Sequence, residues 1–373
     1  MKRIIAIMLA LLLALALLAG CGGAATTSPV TEATAAPASV ASAVEETHPD
    51  TRTVTDMSGT EVTIPFEVNT YVESWFAHNA VDVMLNHAEG MLVTCAKPES
   101  YQWMYMVCPR MNNAVYTEFG TDMSLEEIIA LKPDVVFGSN ENYREMFERV
   151  GIPFVNCMFS TYEQMRQSIS LTAEVLGGDA PEIAERYFSY LNEKINWVAE
   201  KVSAIPEADR KYVAHGSSVY KLNMDGLNTI IDEWINLAGG VNVAAKDLEG
   251  NLKEVTMEQM LTWGPEIIIT GGDWDEVDSI LNDPAWAAFT AVKNGDVYSN
   301  PRGIFPWDRY GVEEALQFQW AAMLLYPDLF EGYDINAEVR SFYKDFLGYE
   351  LTEEQATLIL NHQEPGDTLR AAA

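Results

Sequence analysis

The segment Arg302-Gly-Ile-Phe-Pro-Trp-Asp-Arg309-Tyr310 holds the densest group of side chains able to recognise a ligand. Two guanidinium groups stand in one short stretch of a chain whose net charge is −32. Guanidinium gives planar, bidentate hydrogen bonding to carboxylate, catecholate or oxyanion oxygens. The chemistry is therefore recognition of an anion, with Trp307 and Tyr310 as flat apolar walls. Arg309 pairing with Asp308 as a structural bridge accounts for the same residues equally well, and for Arg302 a structural partner is the simpler reading. Other aromatics fall in stretches that read as loops: Trp75, Tyr101, Trp103, Tyr105, Tyr220 and Trp274. Aromatic walls with a few polar groups, here His78, Asn140 and His215, suit a planar or amphipathic ligand such as a chelate or macrocycle. About half of these rings serve equally well as core packing.

Catalytic patterns are missing. The sequence has no Gly-x-Ser-x-Gly, no Gly-x-Gly-x-x-Gly and no phosphate-binding Gly-x-x-x-x-Gly-Lys-Ser/Thr. It has no Cys-x-x-Cys or His-x-x-x-His pair of the zinc-binding kind. No catalytic residue, metal ligand or cofactor is expected. A hydrolase using a metal would have to draw on scattered His and carboxylates, and a surface adhesion or sensor module is the other competing class.

The elements that carry these loops alternate between strand and helix. Thr53 to Pro65 reads as a hairpin about Ser58-Gly59. Strands are expected at 69–75, 91–95, 134–138 and 154–157, with helices at 77–86, 124–131 and 142–150. A long helix over 180–202 follows. A second alternating region opens at Lys211 and includes helices at 229–237 and 257–263 and a strand at 266–270. This is the pattern of an α/β protein with mainly parallel sheets. In such folds ligands sit at loops beyond the carboxyl ends of the strands, which selects 73–78, 97–105, 139–143, 158–161, 215–220, 271–275 and 302–310.

One unit occurs twice. Ser124-Leu-Glu-Glu-Ile-Ile-Ala-Leu-Lys-Pro-Asp-Val-Val-Phe-Gly matches Thr256-Met-Glu-Gln-Met-Leu-Thr-Trp-Gly-Pro-Glu-Ile-Ile-Ile-Thr. Each copy has the capping box of an N-cap hydroxyl with Glu or Gln three residues on. Pro133 and Pro265 then force the preceding residue out of the helix. Two copies on either side of a long helix predict two similar lobes joined by it.

The N-terminus is of another kind. Met1-Lys-Arg precedes an apolar run from Ile4 to Leu18, closed by Leu-Ala-Gly-Cys21. This is the order of a secretory signal, ending in what looks like a lipobox that would make Cys21 the lipidated first residue. Residues 24–46 are Ala, Thr, Ser, Pro and Val without period, too poor in apolar surface to offset the entropy of ordering. Losing Lys2 and Arg3 takes the net charge from −32 to −34. With no basic cluster, nucleic acid is not an expected partner. Cys95 and Cys108 could bridge in an oxidising compartment, though spacing does not decide it.

Together the lipobox, the Asp56-Met-Ser-Gly59 hairpin, both capped repeats, the Ala238-Gly-Gly-Val-Asn242 segment and Val292-Lys-Asn-Gly-Asp-Val-Tyr298 resemble the substrate-binding proteins of iron–siderophore, haem and cobalamin ABC importers. The resemblance runs from about Arg52 to Phe330. It implies an α/β fold of two Rossmann-like lobes joined by one long helix, a ligand cleft between them, and no catalysis. The expected organisation is a signal peptide over 1–20, lipidated Cys21 and a tether over 21–50, an N-terminal lobe over 51–180, the bridging helix over 181–205 and a C-terminal lobe with terminal helices over 206–373. The expected ligand is a ferric siderophore or haem, with cobalamin or a molybdate- or tungstate-type oxyanion as the alternative. The ligand-contacting set is Trp75, His78, Tyr101, Trp103, Asn140, His215, Tyr220, Trp274, Arg302, Trp307, Arg309 and Tyr310. The resemblance further implies one acidic docking residue per lobe for the importer permease. The repeat places these at Glu126 and Glu258. The chain is expected to act as a monomer outside the cytoplasm, anchored to the membrane by its N-terminal lipid.

Overall fold

The computed structural model describes residues 49–119 and 125–370. The expected signal peptide, Cys21, nearly all of the tether, and Ser124 of the first repeat lie outside them. Among the described residues no helix is long and apolar enough to cross a membrane.

Thr51–Thr55 and Glu61–Pro65 pair antiparallel, with Val54, Val62 and Ile64 turned inward. Two parallel sheets follow. In the first the spatial order is Val115–Tyr116, Met91–Thr94, Tyr71–Glu73, Val135–Gly138, Phe154–Asn156. Its central strands are buried on both faces, Val135 to Gly138 throughout. They therefore read as unbroken apolar runs rather than alternating ones. The chain order reverses between Tyr71–Glu73 and Val135–Gly138. In the second sheet the order is Val241–Asn242, Tyr212–Gly216, Ile267–Thr270, Val297–Ser299, reversing between Tyr212–Gly216 and Ile267–Thr270. Each lobe thus has a topological switch point, where a crevice opens at the strand ends.

The helix Ala180–Val202 separates the two sheets in sequence. Pro181 lies in its first turn, where a missing N–H costs nothing. At 23 residues it is roughly 34 Å long. Ala184, Tyr187, Phe188, Leu191 and Val198 give it a buried stripe. That stripe packs on helices Asn79–Asn86 and Tyr162–Leu176 to one side, and on Ile230–Leu237 and Glu314–Leu325 to the other. One continuous apolar core therefore runs from the first lobe through the helix into the second.

The repeat is visible as helices Leu125–Leu131 and Met257–Trp263. The Thr256 box is complete: Thr256 Oγ1 accepts from the Gln259 amide and Gln259 Oε1 accepts from the Thr256 amide. Before each proline the backbone turns left-handed, at Lys132 (φ 54°) and Gly264 (φ 62°).

A C-terminal strap makes a second link between the lobes. Trp103 Nε1 donates to the Gln363 carbonyl at 2.8 Å, and Trp274 Nε1 donates to the Asn361 carbonyl at 2.8 Å. Arg370 lies over the Trp274 ring and forms a fork to Asp278 at 2.7 and 2.9 Å.

Candidate ligand-binding cleft

The first lobe's switch point opens into a recess of about 510 Å³. Four parallel strands supply its wall through the residues just past their ends. Ser74, Trp75 and Phe76 follow Tyr71–Glu73, Cys95 and Lys97 follow Met91–Thr94, Glu118 and Phe119 follow Val115–Tyr116, and Ser139 and Asn140 follow Val135–Gly138. Tyr101, Tyr116 and Tyr143 complete the aromatic lining. Burial pushes the Tyr101 phenol up to about 12, so it is a neutral hydroxyl at any physiological pH.

The loop Arg302–Tyr310 closes onto this recess from the other lobe. Phe305 stacks on Tyr101 with ring centroids 5.8 Å apart and lies 5.9 Å from Phe76. Tyr310 lies 5.5 Å from Trp75 and 5.7 Å from Phe159. The Arg302 guanidinium lies over the Tyr101 ring and donates to the Ser100 carbonyl. The loop takes its shape from a buried carboxylate. Glu313 accepts from the Phe305 amide at 3.0 Å, from Trp307 Nε1 at 2.9 Å and from the Tyr343 hydroxyl. Gly303 is required here, because a Cβ would stand 2.0 Å from both Glu313 Oε1 and the Tyr343 hydroxyl oxygen. Burial raises the Glu313 carboxyl to about 7 despite these three donors. Tyr310 itself is left-handed at φ 59°, a costly conformation for a bulky residue and one often found at functional sites.

Beneath Tyr310 lies a charge network at the second switch point. Arg309 donates to Asp308 Oδ2 at 2.9 Å (Nε) and 2.7 Å (Nη2), and from Nη2 to Asp225 Oδ2 at 3.0 Å. His215 Nδ1 lies 3.1 Å from Asp225 Oδ2, and its Nε2 lies 3.3 Å from Asp308 Oδ2. Two buried carboxylates face one guanidinium, so a protonated His215 balances the site. Burial pulls the His215 pKa down, but its bond to Asp225 and the nearby Asp308 carboxylate raise it on balance. Burial alone would raise Asp308, yet Arg309 and His215 hold it well below the usual carboxylate range. Asp225 is likewise lowered, by His215 and Arg309 against burial.

The structure sorts the residues selected from sequence. Trp75, Tyr101 and Asn140 line the recess, and Arg302 and Tyr310 reach its edge. Six selected residues are elsewhere. Trp103 and Trp307 are fully buried, their indole N–H groups bonded to the Gln363 carbonyl and to Glu313. His78 is fully buried between Glu73 and Thr172, and His215 lies inside the charge network. Trp274 holds the C-terminal strap, and Tyr220 is exposed beside Trp286 with its hydroxyl on Asp283. Arg309 has the structural bridge to Asp308 and a further bond to Asp225, made through Nε and Nη2. Glu126 and Glu258 are exposed in the first turns of their helices. Cys95, Cys108 and Cys157 are all free thiols, so no bridge joins Cys95 to Cys108. Sequence reasoning did not select Phe76, Lys97, Phe159 or Phe305. Lys97 carried a signal, as a cation within a strand-end loop, but the three phenylalanines carried none beyond being apolar.

Comparison with known proteins agrees with this architecture. The profile of the family described as periplasmic binding protein matches residues 98–302, more than half of the chain. The chain belongs to the periplasmic binding protein family. It is a solute-binding protein and not an enzyme. It is 28% identical over 332 residues to the molybdate-binding protein MolA of Haemophilus influenzae, covering 79% of this chain and 90% of that one. It is 24% identical over 348 residues to YvrC of Bacillus subtilis, an uncharacterized ABC transporter substrate-binding lipoprotein, covering 89% of this chain and all of that one. Among solved structures, a periplasmic solute-binding protein of Veillonella parvula superposes with a TM-score of 0.71 at 28% identity, covering 83% of this chain and 97% of that chain.

Proposed function

We propose that this protein captures an anionic, metal-containing solute in the cleft and delivers it to an ABC importer, with a ferric chelate as the leading ligand class. The observation that carries this reading is the recess of about 510 Å³ at the switch point, with six aromatic side chains in its lining beside Lys97. That volume is within the range of pockets for drug-sized ligands and much larger than a tetrahedral oxyanion needs. Aromatic faces suit the ligand's organic framework, and Lys97 in the lining and Arg302 at its edge suit its charge. A molybdate- or tungstate-type oxyanion is the second reading, favoured by the similarity to MolA along most of both chains. The name of YvrC supports lipid anchoring through Cys21. Exposed Glu126 and Glu258 on the two repeated helices suit docking to basic pockets of a permease.

Tryptophan fluorescence during titration with ferric chelates, haem, cobalamin, molybdate and tungstate tests the ligand. A saturable response to a ferric chelate, weakened at least tenfold in Tyr101→Ala and Lys97→Ala, is expected. A response to molybdate alone selects the second reading, and silence toward the whole panel refutes both. Glu126→Lys with Glu258→Lys tests docking: transport into permease-containing vesicles falls sharply while ligand affinity is unchanged.

A further inference from the structure

Trp75 stacks on His78, which belongs to a buried group of side chains that do not line the recess. Glu73 ends a central strand, and His78 and Asp82 stand one helical turn apart on the helix that follows. All three are 0% exposed. One ligand-type atom from each lies within 4.8 Å of the others. Glu73 Oε2 is 2.6 Å from His78 Nδ1, which is 3.9 Å from Asp82 Oδ1. Both Asp82 oxygens are buried without a hydrogen-bond partner.

The imidazole's orientation is fixed from behind. Thr172 Oγ1 lies 2.9 Å from the Ser168 carbonyl and 2.9 Å from His78 Nε2. A carbonyl only accepts, so the hydroxyl hydrogen goes to Ser168, and Thr172 receives a hydrogen from Nε2. That turns Nδ1 toward Glu73 and Asp82. A metal-binding histidine usually donates its other ring nitrogen to such a fixed acceptor. Glu73 is held in the same way, its Oε1 accepting from the Trp75 amide at 2.7 Å. Three groups rich in lone pairs therefore converge in a dry interior where two carboxylates cannot remain unpaired.

We infer that Glu73, His78 and Asp82 form a structural binding site for one divalent first-row transition metal inside the N-terminal lobe, separate from the solute cleft. Glu73 Oε2, His78 Nδ1 and the two Asp82 oxygens supply four donor atoms. Two carboxylates and a neutral imidazole balance a dication, and this mixed nitrogen and oxygen set suits zinc or manganese better than calcium or magnesium. The competing solution is two protons in place of the metal, one on His78 and one shared between the carboxyls. It also gives neutrality.

Refolding decides between them, because a site this enclosed fills as the chain folds. The protein is denatured in guanidinium with EDTA, then refolded either metal-free or with zinc chloride, and passed through a desalting column. The site predicts one zinc retained per chain, a midpoint of thermal unfolding several degrees above that of the metal-free protein, and loss of both in Asp82→Asn. Refolding with cobalt(II) gives visible absorption bands from the wild type, so the test stands even if Asp82→Asn does not fold. The cleft variant Tyr101→Ala keeps the zinc and the cobalt spectrum. Refolded wild type with no retained zinc and equal melting in both conditions overturns the site. So does a cobalt spectrum that Tyr101→Ala abolishes, since the metal would then be in the cleft.

Discussion

Arg309→Ala removes the one permanent cation from a buried cluster holding two carboxylates. Three hydrogen bonds of 2.7 to 3.0 Å are lost, and Asp225 and Asp308 are left with His215 alone. The Arg309 side chain is only 15% exposed and both carboxylates are essentially inaccessible, so water cannot replace the guanidinium. Breaking a buried pair from one side costs about 3–5 kcal/mol, and the ligand-free protein should lose an amount in that range. The loss should depend on pH. The His215 pKa is raised in the folded state, so its stabilisation is complete below its unfolded value near 6.5 and disappears as pH rises through the folded one. Without Arg309 the imidazolium has more negative charge to balance and its pKa rises further, which partly offsets the mutation in mild acid. The deficit should therefore be larger at pH 8.5 than at pH 6. Arg309→Lys keeps the charge but cannot fork between two carboxylates, and should lose roughly 1–2 kcal/mol. Urea unfolding of the ligand-free proteins at both pH values measures all of this. A loss below about 1 kcal/mol, or one independent of pH, would refute the balanced-network argument and leave Arg309 chiefly a ligand contact.

Glu313, raised to about 7 by burial, ionises more easily unfolded than folded. Its stabilisation is therefore lost as pH rises from about 4.5 to 7, by up to roughly 3 kcal/mol, and His215 adds a loss of the same sign above 6.5. Melting temperature should fall between pH 5 and 8, with a flatter curve in Glu313→Gln; a rising curve contradicts the assignment. Gly303→Ala drives a methyl group into Glu313 and Tyr343 and should cost about 1–3 kcal/mol in urea unfolding, where an unchanged midpoint would show that the loop gives way. Lys132→Gly, at a left-handed position (φ 54°) that costs a side chain about 1–2 kcal/mol, should stabilise by up to about 1 kcal/mol in the same assay, and destabilisation would show that the strain is absent.

Much of this fold was legible in sequence because local chemistry sets it. The Thr256 capping box, the stops before Pro133 and Pro265, and the apolar strands that follow are decisions made within a few residues, and all appear where expected. The long helix over 180–202 is found with its expected limits, since its buried stripe recurs at helical spacing. What failed was the distinction between a ring lining the cleft and a ring packed in the core. Trp103 and Trp75 both fall in segments that follow parallel strands, yet Trp103 lies in the helix Gln102–Val107 and turns toward Gln363, some 260 residues away, while Trp75 faces the recess. That choice depends on a partner no local pattern names. The same holds for Asp225 and Glu313, which no motif in the sequence marks out. Their importance comes from His215, Arg309, Trp307 and Tyr343 being carried to them by the fold.

The strap held by Trp103 and Trp274 changes the mechanics of the whole molecule. Two bodies joined by one rod can twist about it and bend at either end. Joined again at a second place, they become a closed frame whose softest remaining motion is a small opening about the line through both joints. A frame of this kind does little work on its cargo when it shuts, so the grip on the solute must come from the walls themselves. It also stores little elastic force for letting go. Release then calls for leverage from outside, applied at the two ends of the frame at once.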